Sequence, residues 1–172
     1  MNRKWIHGIL IGLAILSLAG CGKSVEEQVS IGIASAQTTF EETPVASNKT
    51  IANIDLYLPK GFTIEQGLDE LNFTLTKEKD SYILFVNTNE NQDSKLLYEI
   101  LMSDTAHGVI QEQTFETNGA FGFSAVVKHS EEQYELVVSI GGVKMTTLSA
   151  DKKIDAKLAE MMEIVRSVHI SK

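Results

Sequence analysis

The alternation of apolar and polar residues predicts β-strands from residue 51 onward. In IANIDLYL, Ile54 and Leu56 alternate with polar neighbours, which is the period of a half-buried strand. A hairpin follows, with alternating apolar residues at 71–75 and a returning strand, SYILFVN, at 81–87. Because the returning strand is almost continuously apolar, we expect it to be central in a sheet and covered on both faces.

A helical period replaces this alternation in DSKLLYEILMSD, residues 93–104. Asp93 or Ser94 can cap the N-terminus of this helix, and Gly108 can end it. Its apolar side is expected to pack on the sheet. The residues of that side are Leu96, Leu97, Ile100 and Leu101.

The chain between this helix and residue 150 predicts a four-stranded antiparallel meander. Two glycines at 141–142 suit a two-residue turn, and residues 129–132 suit a turn of four. A three-residue loop at 117–119 is preferred for the first hairpin because it keeps one apolar face. The expected pairs are Ile140 with Val143, Val127 with Tyr134, and Phe115 with Phe121.

Residues 151–168 predict a closing helix, because apolar residues recur at spacings of 4, 3, 4 and 3. They are Ile154, Leu158, Met161, Val165 and Val168. The element order is strand, hairpin, helix, four-stranded meander and helix. This order predicts an α+β fold, with an antiparallel sheet of about six to seven strands and two packed helices.

The N-terminal segment has the pattern of an export signal. Arg3 and Lys4 precede an uncharged run from Trp5 to Gly20, and its 16 residues are fewer than the about 20 that span a membrane. The end of the run resembles the bacterial lipobox, in which a leucine and two small residues precede a cysteine. Those positions are Leu18, Ala19, Gly20 and Cys21.

The lipobox resemblance implies cleavage before Cys21 and transfer of a diacylglyceryl group to its thiol. Two acyl chains give stable membrane attachment, whereas one chain is marginal. We therefore expect a lipoprotein signal peptide over residues 1–20 and a lipid bilayer as the partner of Cys21. The expected location is the extracytoplasmic side of a cell membrane, with one-membrane and two-membrane envelopes both left open.

Removal of the signal segment makes the chain more acidic. The formal charge of −8 becomes −10, with 13 basic residues against 23 acidic ones. An acidic surface disfavours nucleic acid as a partner. Cys21 is the only cysteine, so no disulfide can support the fold within one chain.

Residues 22–50 are rich in Ser, Thr, Glu and Gln, and their apolar residues show no sustained period. We expect residues 21–50 to form a lipidated flexible tether, followed by a single α+β domain over 51–172. The alternative is a short helix over 24–34 that packs back on the domain or binds a partner.

The element order over residues 51–170, together with YLPKGF at 57–62, resembles the PsbP-like and DcrB-like domains. In those domains a similar turn follows the first strand, and a long helix closes over an antiparallel sheet. The resemblance implies a PsbP-like α/β/α sandwich and an accessory or assembly role. It supplies no catalytic residues, and the partners of the photosynthetic branch are not carried over to a lipoprotein.

Residues that could carry chemistry are scattered. Beyond the signal, the histidines lie in three separate segments, and no two have metal-ligand spacing on one element. Ser103, Asp104 and His107 lie close in sequence, but a helix end explains them better than a catalytic triad. The Met161-Met162 pair is expected in the core rather than at a copper site.

Three further stretches suggest sites but have simpler explanations. NTNENQD at 87–93 has alternate oxygen-bearing side chains but lacks the Asp, Gly and Glu positions of an EF-hand. Gly119 and Gly122 lie between and within predicted strands, where a phosphate-binding loop does not form. The acidic pairs 69–70 and 131–132 fall on turns. No cofactor, metal or catalytic residue is therefore expected.

The sequence thus favours a non-enzymatic binding or assembly module of the cell envelope, with an unidentified envelope protein as its partner. Its working surface would be the sheet face away from the last helix, or the loop at 87–92. The alternative is a lipoprotein that binds a small ligand or cation in a pocket between helix and sheet. A third hypothesis is an envelope-modifying enzyme, but no residues in the sequence support it.

Overall fold

The computed structural model describes residues 23–103, 108–117, 119–150 and 152–171. Within these ranges the helices are α1 (Val25–Glu41), α2 (Leu96–Ser103) and α3 (Ile154–Ser167). The strands are β1 (Lys49–Ile51), β2 (Ile54–Leu56), β3 (Phe62–Gln66), β4 (Asn72–Lys77), β5 (Asp80–Val86), β6 (Gly108–Thr117), β7 (Ala120–Lys128), β8 (Tyr134–Ile140), β9 (Val143–Ser149) and β10 (His169–Ile170). The predicted signal peptide and its lipobox, with Cys21, lie outside the described residues.

A seven-stranded antiparallel sheet in the order β3-β4-β5-β9-β8-β7-β6 forms the centre of the molecule. It joins a three-stranded meander to the predicted four-stranded one through β5 and β9. This architecture confirms the α+β class and the antiparallel sheet. Its membership differs from the prediction, because β3 was not foreseen and Ile54–Leu56 pairs instead with β1 and β10 in a small second sheet.

The closing helix is confirmed as α3. Every member of its predicted apolar stripe is buried, and so is Met162. The stripe faces β8 and β9, while α1 lies beside α3 over β6 and β7. The two helices together cover one face of the large sheet.

The prediction of a flexible tether is wrong for residues 25–41, which form α1. Ser24 caps this helix by accepting a hydrogen bond from the backbone N–H of Glu27. Its buried apolar side chains recur at helical spacing and are at most 1% exposed: Val29, Ile33, Ala36 and Phe40. The folded unit therefore extends back at least to residue 23 rather than starting at 51, and the described part of the chain has a third helix. The alternative of a helix packed on the domain is the correct one, and the helix is longer than expected.

Two of the three meander turns also differ from the prediction. The pairing of Ile140 with Val143 is confirmed, but Lys128 pairs with Tyr134 and Glu116 pairs with Phe121, each one residue away from the expected register. The predicted turns assumed that one face of β7 is exposed. In fact residues 120–127 are all buried, because helices cover this strand on both faces.

For β5 the prediction errs in the opposite direction, because this strand is less buried than expected. It is central, between β4 and β9, as expected. It is not covered on both faces, because Ile83 is 43% exposed on the side away from α1 and α3. Gly108, expected to end α2, instead begins β6.

Candidate interaction surface

The second face of the large sheet, opposite α1 and α3, is covered by α2 over part of its area. Alternate residues of β7 point to this side, and Phe121, Phe123 and Ala125 form a small cluster there with Leu97 of α2. Tyr98 of α2 meets Phe121 and Phe123 edge-on, with ring centroids 5.8 and 5.4 Å apart. Burial, with the nearby Glu112 carboxylate, raises the pKa of Tyr98 above its ordinary value.

This helix is too short to cover the sheet. Its eight residues span about 12 Å, whereas seven strands at their usual separation extend over about 29 Å. Its apolar packing is centred on β7 and β8, with Phe85 of β5 at the edge of the cluster. Outward-facing residues beyond the helix, on β3, β4, β5 and β9, are exposed: Thr63, Thr76, Ile83 and Leu148.

The uncovered strands present threonines and two large apolar side chains. Thr63 and Thr76 meet across β3 and β4, with their hydroxyl oxygens 2.6 Å apart. Ile83 on β5 is paired with Thr146 on β9. Leu148, two residues further along β9, is 45% exposed.

A groove runs between α2 and these strands. Ile100, Lys144 and Thr146 line a hollow of about 180 Å³ beside the helix. Thr146 and Glu135 also line a second hollow of about 340 Å³, which contains Ile83 and Leu148. Because Glu135 and Thr146 line both hollows, the two hollows are adjacent and together form the groove. We call this surface the open face and define it by Ile83, Ile100, Lys144, Thr146 and Leu148.

The outer side of α2 is unusually apolar for a surface helix. Of its predicted stripe only Leu97 is fully buried, while Leu96 and Ile100 are 40% and 53% exposed. Met102 is also exposed. A helix that is apolar on most of its circumference is normally covered on more than one side.

The loop at 87–92 lies at the other candidate site, and several of its oxygen atoms already accept hydrogen bonds within the protein. The Asn87 side-chain oxygen accepts from the N–H of Asn89, and Glu90 accepts from the hydroxyl of Ser94. The carbonyl of Gln92 accepts from Phe121 at 2.9 Å. Ser94, one of the two predicted caps, accepts at 3.3 Å from the N–H of Leu96, the first residue of α2. This arrangement fits a structural loop better than a calcium loop.

A cavity of about 180 Å³ lies beneath this loop, between the end of α3 and the sheet. Its floor is apolar, with Val86, Ile140, Val143, Val165 and Val168. Its rim carries Asn87, Thr88, Glu90, Gln92 and His169. It is smaller than the about 300 Å³ at which small-molecule pockets usually begin.

The histidines that the structure describes do not converge. His129 follows β7, whereas His169 lies in β10 at the other end of β8, with its Nε2 3.6 Å from Asp55. Ser103 ends α2 and donates to the carbonyl of Ile100, while Asp104 and His107 lie outside the described residues. Over the described ranges, no group of three or more His, Cys, Asp or Glu side chains is placed to hold a metal ion.

Asp69 of the first acidic pair and Gly122 have structural roles. Asp69 accepts hydrogen bonds from the Asn72 side chain and from the N–H groups of Leu71 and Asn72, which hold its pKa below the ordinary value. A Cβ on Gly122 would lie 2.8 Å from the ring of Phe40, so this glycine makes room for α1.

Within the part of the chain that is described, no helix is both long enough and apolar enough to cross a bilayer.

Comparisons with known proteins add little to this description. A scan of protein-family models finds no match, and neither does a search of curated proteins. Among solved structures, the chain is similar to the cyanobacterial PsbP (CyanoP) of Synechocystis sp. PCC 6803, at 10% identity over 74% of this chain and 98% of that one. The TM-score is 0.44.

The sequence predicted the location of the open face but not the exposure of its apolar residues. The sheet face away from the last helix was an expected working surface, but Ile83 and Ile100 were both predicted to be buried. The available signal was α2 itself, since LLYEILM has more apolar residues than one buried stripe needs.

Proposed function

We propose that this chain is a lipid-anchored, extracytoplasmic lipoprotein of a bacterial envelope that acts as a non-enzymatic binding or assembly module. Cys21 carries the lipid, and the open face docks a protein partner. The lipobox pattern supports the anchor. The single observation that supports docking is the exposure of Ile83, Ile100 and Leu148 along one groove.

The chemistry of the groove defines the partner. Its apolar residues call for apolar side chains on the partner, because exposed patches of this kind in soluble domains mark interaction sites. Glu135 and Lys144 lie beside them, so charges of both signs border the groove. The occupant we propose is a protein segment with an apolar strip flanked by both charge signs, carried by another protein of the envelope.

Binding of a small ligand in the cavity beneath the loop at 87–92 is the alternative function. The apolar floor and polar rim of the cavity favour ligand binding. Its volume of about 180 Å³ speaks against any ligand of ordinary metabolite size. We therefore favour the open face.

The anchor is tested by replacing Cys21 with alanine in cells that process lipoproteins. We expect the variant to leave the membrane fraction and to lose the mass of the diacylglyceryl group, since the bilayer holds the protein through two acyl chains. Ser17→Ala, in the same segment but outside the lipobox, is the control and should fractionate normally. Unchanged fractionation and mass in Cys21→Ala would contradict the proposal.

Docking is tested with a photo-cross-linking amino acid at Ile100 or Leu148 in intact cells. We expect one discrete cross-linked protein from both positions, because they line the same groove. Leu68, which is fully exposed in the loop between β3 and β4, is the matched apolar control and should not give that product.

The same experiment includes a disrupting substitution. Ile83→Lys, combined with the cross-linker at Leu148, should reduce the yield several-fold while lowering stability by no more than about 1 kcal/mol, because Ile83 is 43% exposed. An equal yield at Leu68, or an undiminished yield with Ile83→Lys, would show that the open face is not the docking surface. A product of twice the chain mass would identify a second copy as the occupant.

A further inference from the structure

Lys23, two residues after the proposed lipid anchor Cys21, is held against the domain by an ion pair and a hydrogen bond. The ammonium group of Lys23 lies 2.6 Å from the carboxylate of Asp155 at the start of α3, and this contact holds the pKa of Asp155 below its ordinary value. The Gln28 side chain donates to the carbonyl of Lys23 and accepts from the N–H of Ile154, at 3.1 and 3.3 Å. Because Gln28 is only 9% exposed, these bonds are largely shielded from water.

This attachment leaves almost no free chain between Cys21 and the folded unit. Gly22 alone separates Cys21 from Lys23. Two extended residue steps span about 7 Å at most. A flexible segment of about thirty residues would instead have a root-mean-square span of about 30 Å. The domain cannot move far from a lipid on Cys21.

The position of Lys23 identifies one end of the molecule. The start of α1 adjoins the loop after β7 and the end of β9, since Val25 shares a hollow with Ser130, Glu132, Tyr134 and Ala150. We call this the proximal end. The loop at 87–92 and the turn at 141–142 form the distal end, and the seven residues of β8 separate the ends by about 23 Å.

We propose that the lipidated protein stands on the bilayer with its proximal end against the headgroups. The strands are then upright, the open face is perpendicular to the membrane, and the distal cavity points away from it. The partner is consequently a protein that lies within reach of the same membrane surface. This inference rests on the proposed lipidation of Cys21.

The anchor, rather than surface charge, sets this orientation. The proximal end carries basic residues at 23, 128, 152 and 153 and acidic residues at 26, 27, 131, 132 and 155. Charges of both signs give no net attraction to a lipid surface. The orientation should therefore persist on zwitterionic phosphatidylcholine vesicles.

The test uses single thiols in the full lipidated protein, purified from membranes and reconstituted in phosphatidylcholine vesicles that contain a nitroxide-labelled headgroup lipid. Because the lipid occupies the thiol of Cys21, an introduced cysteine is the only site for a fluorescent label. Ser130→Cys places the label at the proximal end, and Asn89→Cys places it at the distal end. Both residues are exposed, so neither substitution should disturb folding.

We expect the nitroxide lipid to quench the Ser130 label several-fold more strongly than the Asn89 label. A control variant carries about ten Gly and Ser residues between Gly22 and Lys23, whose span of about 17 Å should abolish the contrast. Equal quenching in protein that floats with the vesicles would overturn the orientation but leave the anchor intact. If the difference in quenching between the two labels persists in the variant with the Gly and Ser insertion, the short connection between Cys21 and Lys23 is not the cause of the orientation. Failure to float would contradict the proposed function itself.

Discussion

Replacing Phe40 with alanine is expected to lower the free energy of unfolding by about 3–5 kcal/mol, the usual cost of deleting a buried aromatic ring. Phe40 is fully buried near the end of α1. Its ring lies 5.5 Å from that of Phe115 on β6, and the Arg166 guanidinium of α3 is 5.8 Å from its centroid. Urea denaturation of residues 22–172, followed by circular dichroism, measures the loss.

Thr38→Ala is the matched control, because Thr38 lies on the exposed side of the same helix. Its effect should stay within about 0.5 kcal/mol. An effect of Phe40→Ala as small as that of Thr38→Ala would mean that α1 contributes nothing to the fold. The segment would then be the flexible tether after all, and the proposed orientation on the membrane would lose its basis.

The missed helix shows where sequence patterns are weak. The stripe of α1 continues from Val29 and Ile33 to Ala36 and Phe40, which is regular helical spacing. It passes through Gly32, where a Cβ would lie 2.8 Å from Leu158 of α3, so the helices approach closely. Small residues bury little apolar area, and the exposed side is Ser- and Thr-rich. The segment therefore resembles a linker in composition although it packs like a core helix.

The register errors have a different cause. Alternation specifies register only when one face of a strand is exposed. The helix α3 has a more polar, partly exposed side opposite its buried stripe. Its apolar period was therefore sufficient to predict the helix and its buried residues correctly. β7 is buried on both faces, so Phe121 and Gly122 can exchange sides in the pattern without any penalty that the sequence reveals. Only the position of α2 shows that Phe121 belongs with Tyr98.

The open face was partly predictable for a related reason. Sequence showed that α2 is apolar and that it belongs beside the sheet. It could not show that α2 sits over β7 and β8, which leaves Ile83 and Leu148 uncovered on β5 and β9. Which part of a wide sheet a short helix covers depends on tertiary packing, which local periodicity does not encode. Apolar residues of a kind that is buried in most sheets are therefore exposed here.

The distal end owes its shape to the contact between two loops, and this contact also determines what the loop at 87–92 can bind. The N–H of Asn87 donates to the carbonyl of Gly142 at 2.9 Å. Gly141 has a φ of 51°, and a Cβ there would lie 2.6 Å from the Cα of Gln92 and closer still to the carbonyl oxygen of Asn91. Backbone carbonyls packed this tightly against a turn are not free to coordinate an ion.

Gly141→Ala should therefore destabilise the protein by about 2–5 kcal/mol, the sum of left-handed backbone strain and overlap with the adjacent loop. Gly119→Ala is the matched control. Gly119 lies in the hairpin turn between β6 and β7 with a φ of 85°, and nothing lies within 4 Å of its added Cβ. It should cost only the strain, about 1–2 kcal/mol.

Hydrogen exchange separates the two contributions to the effect of Gly141→Ala. The overlap pushes the loop at 87–92 away from the turn, so the amide of Asn87 should lose protection in Gly141→Ala but keep it in Gly119→Ala. Urea denaturation of both variants gives the difference in unfolding free energy. Equal losses, with the Asn87 amide protected in both, would show that the loop is not held by this turn. Its carbonyl oxygens would then be available, and the calcium-loop interpretation of 87–93 would have to be reopened.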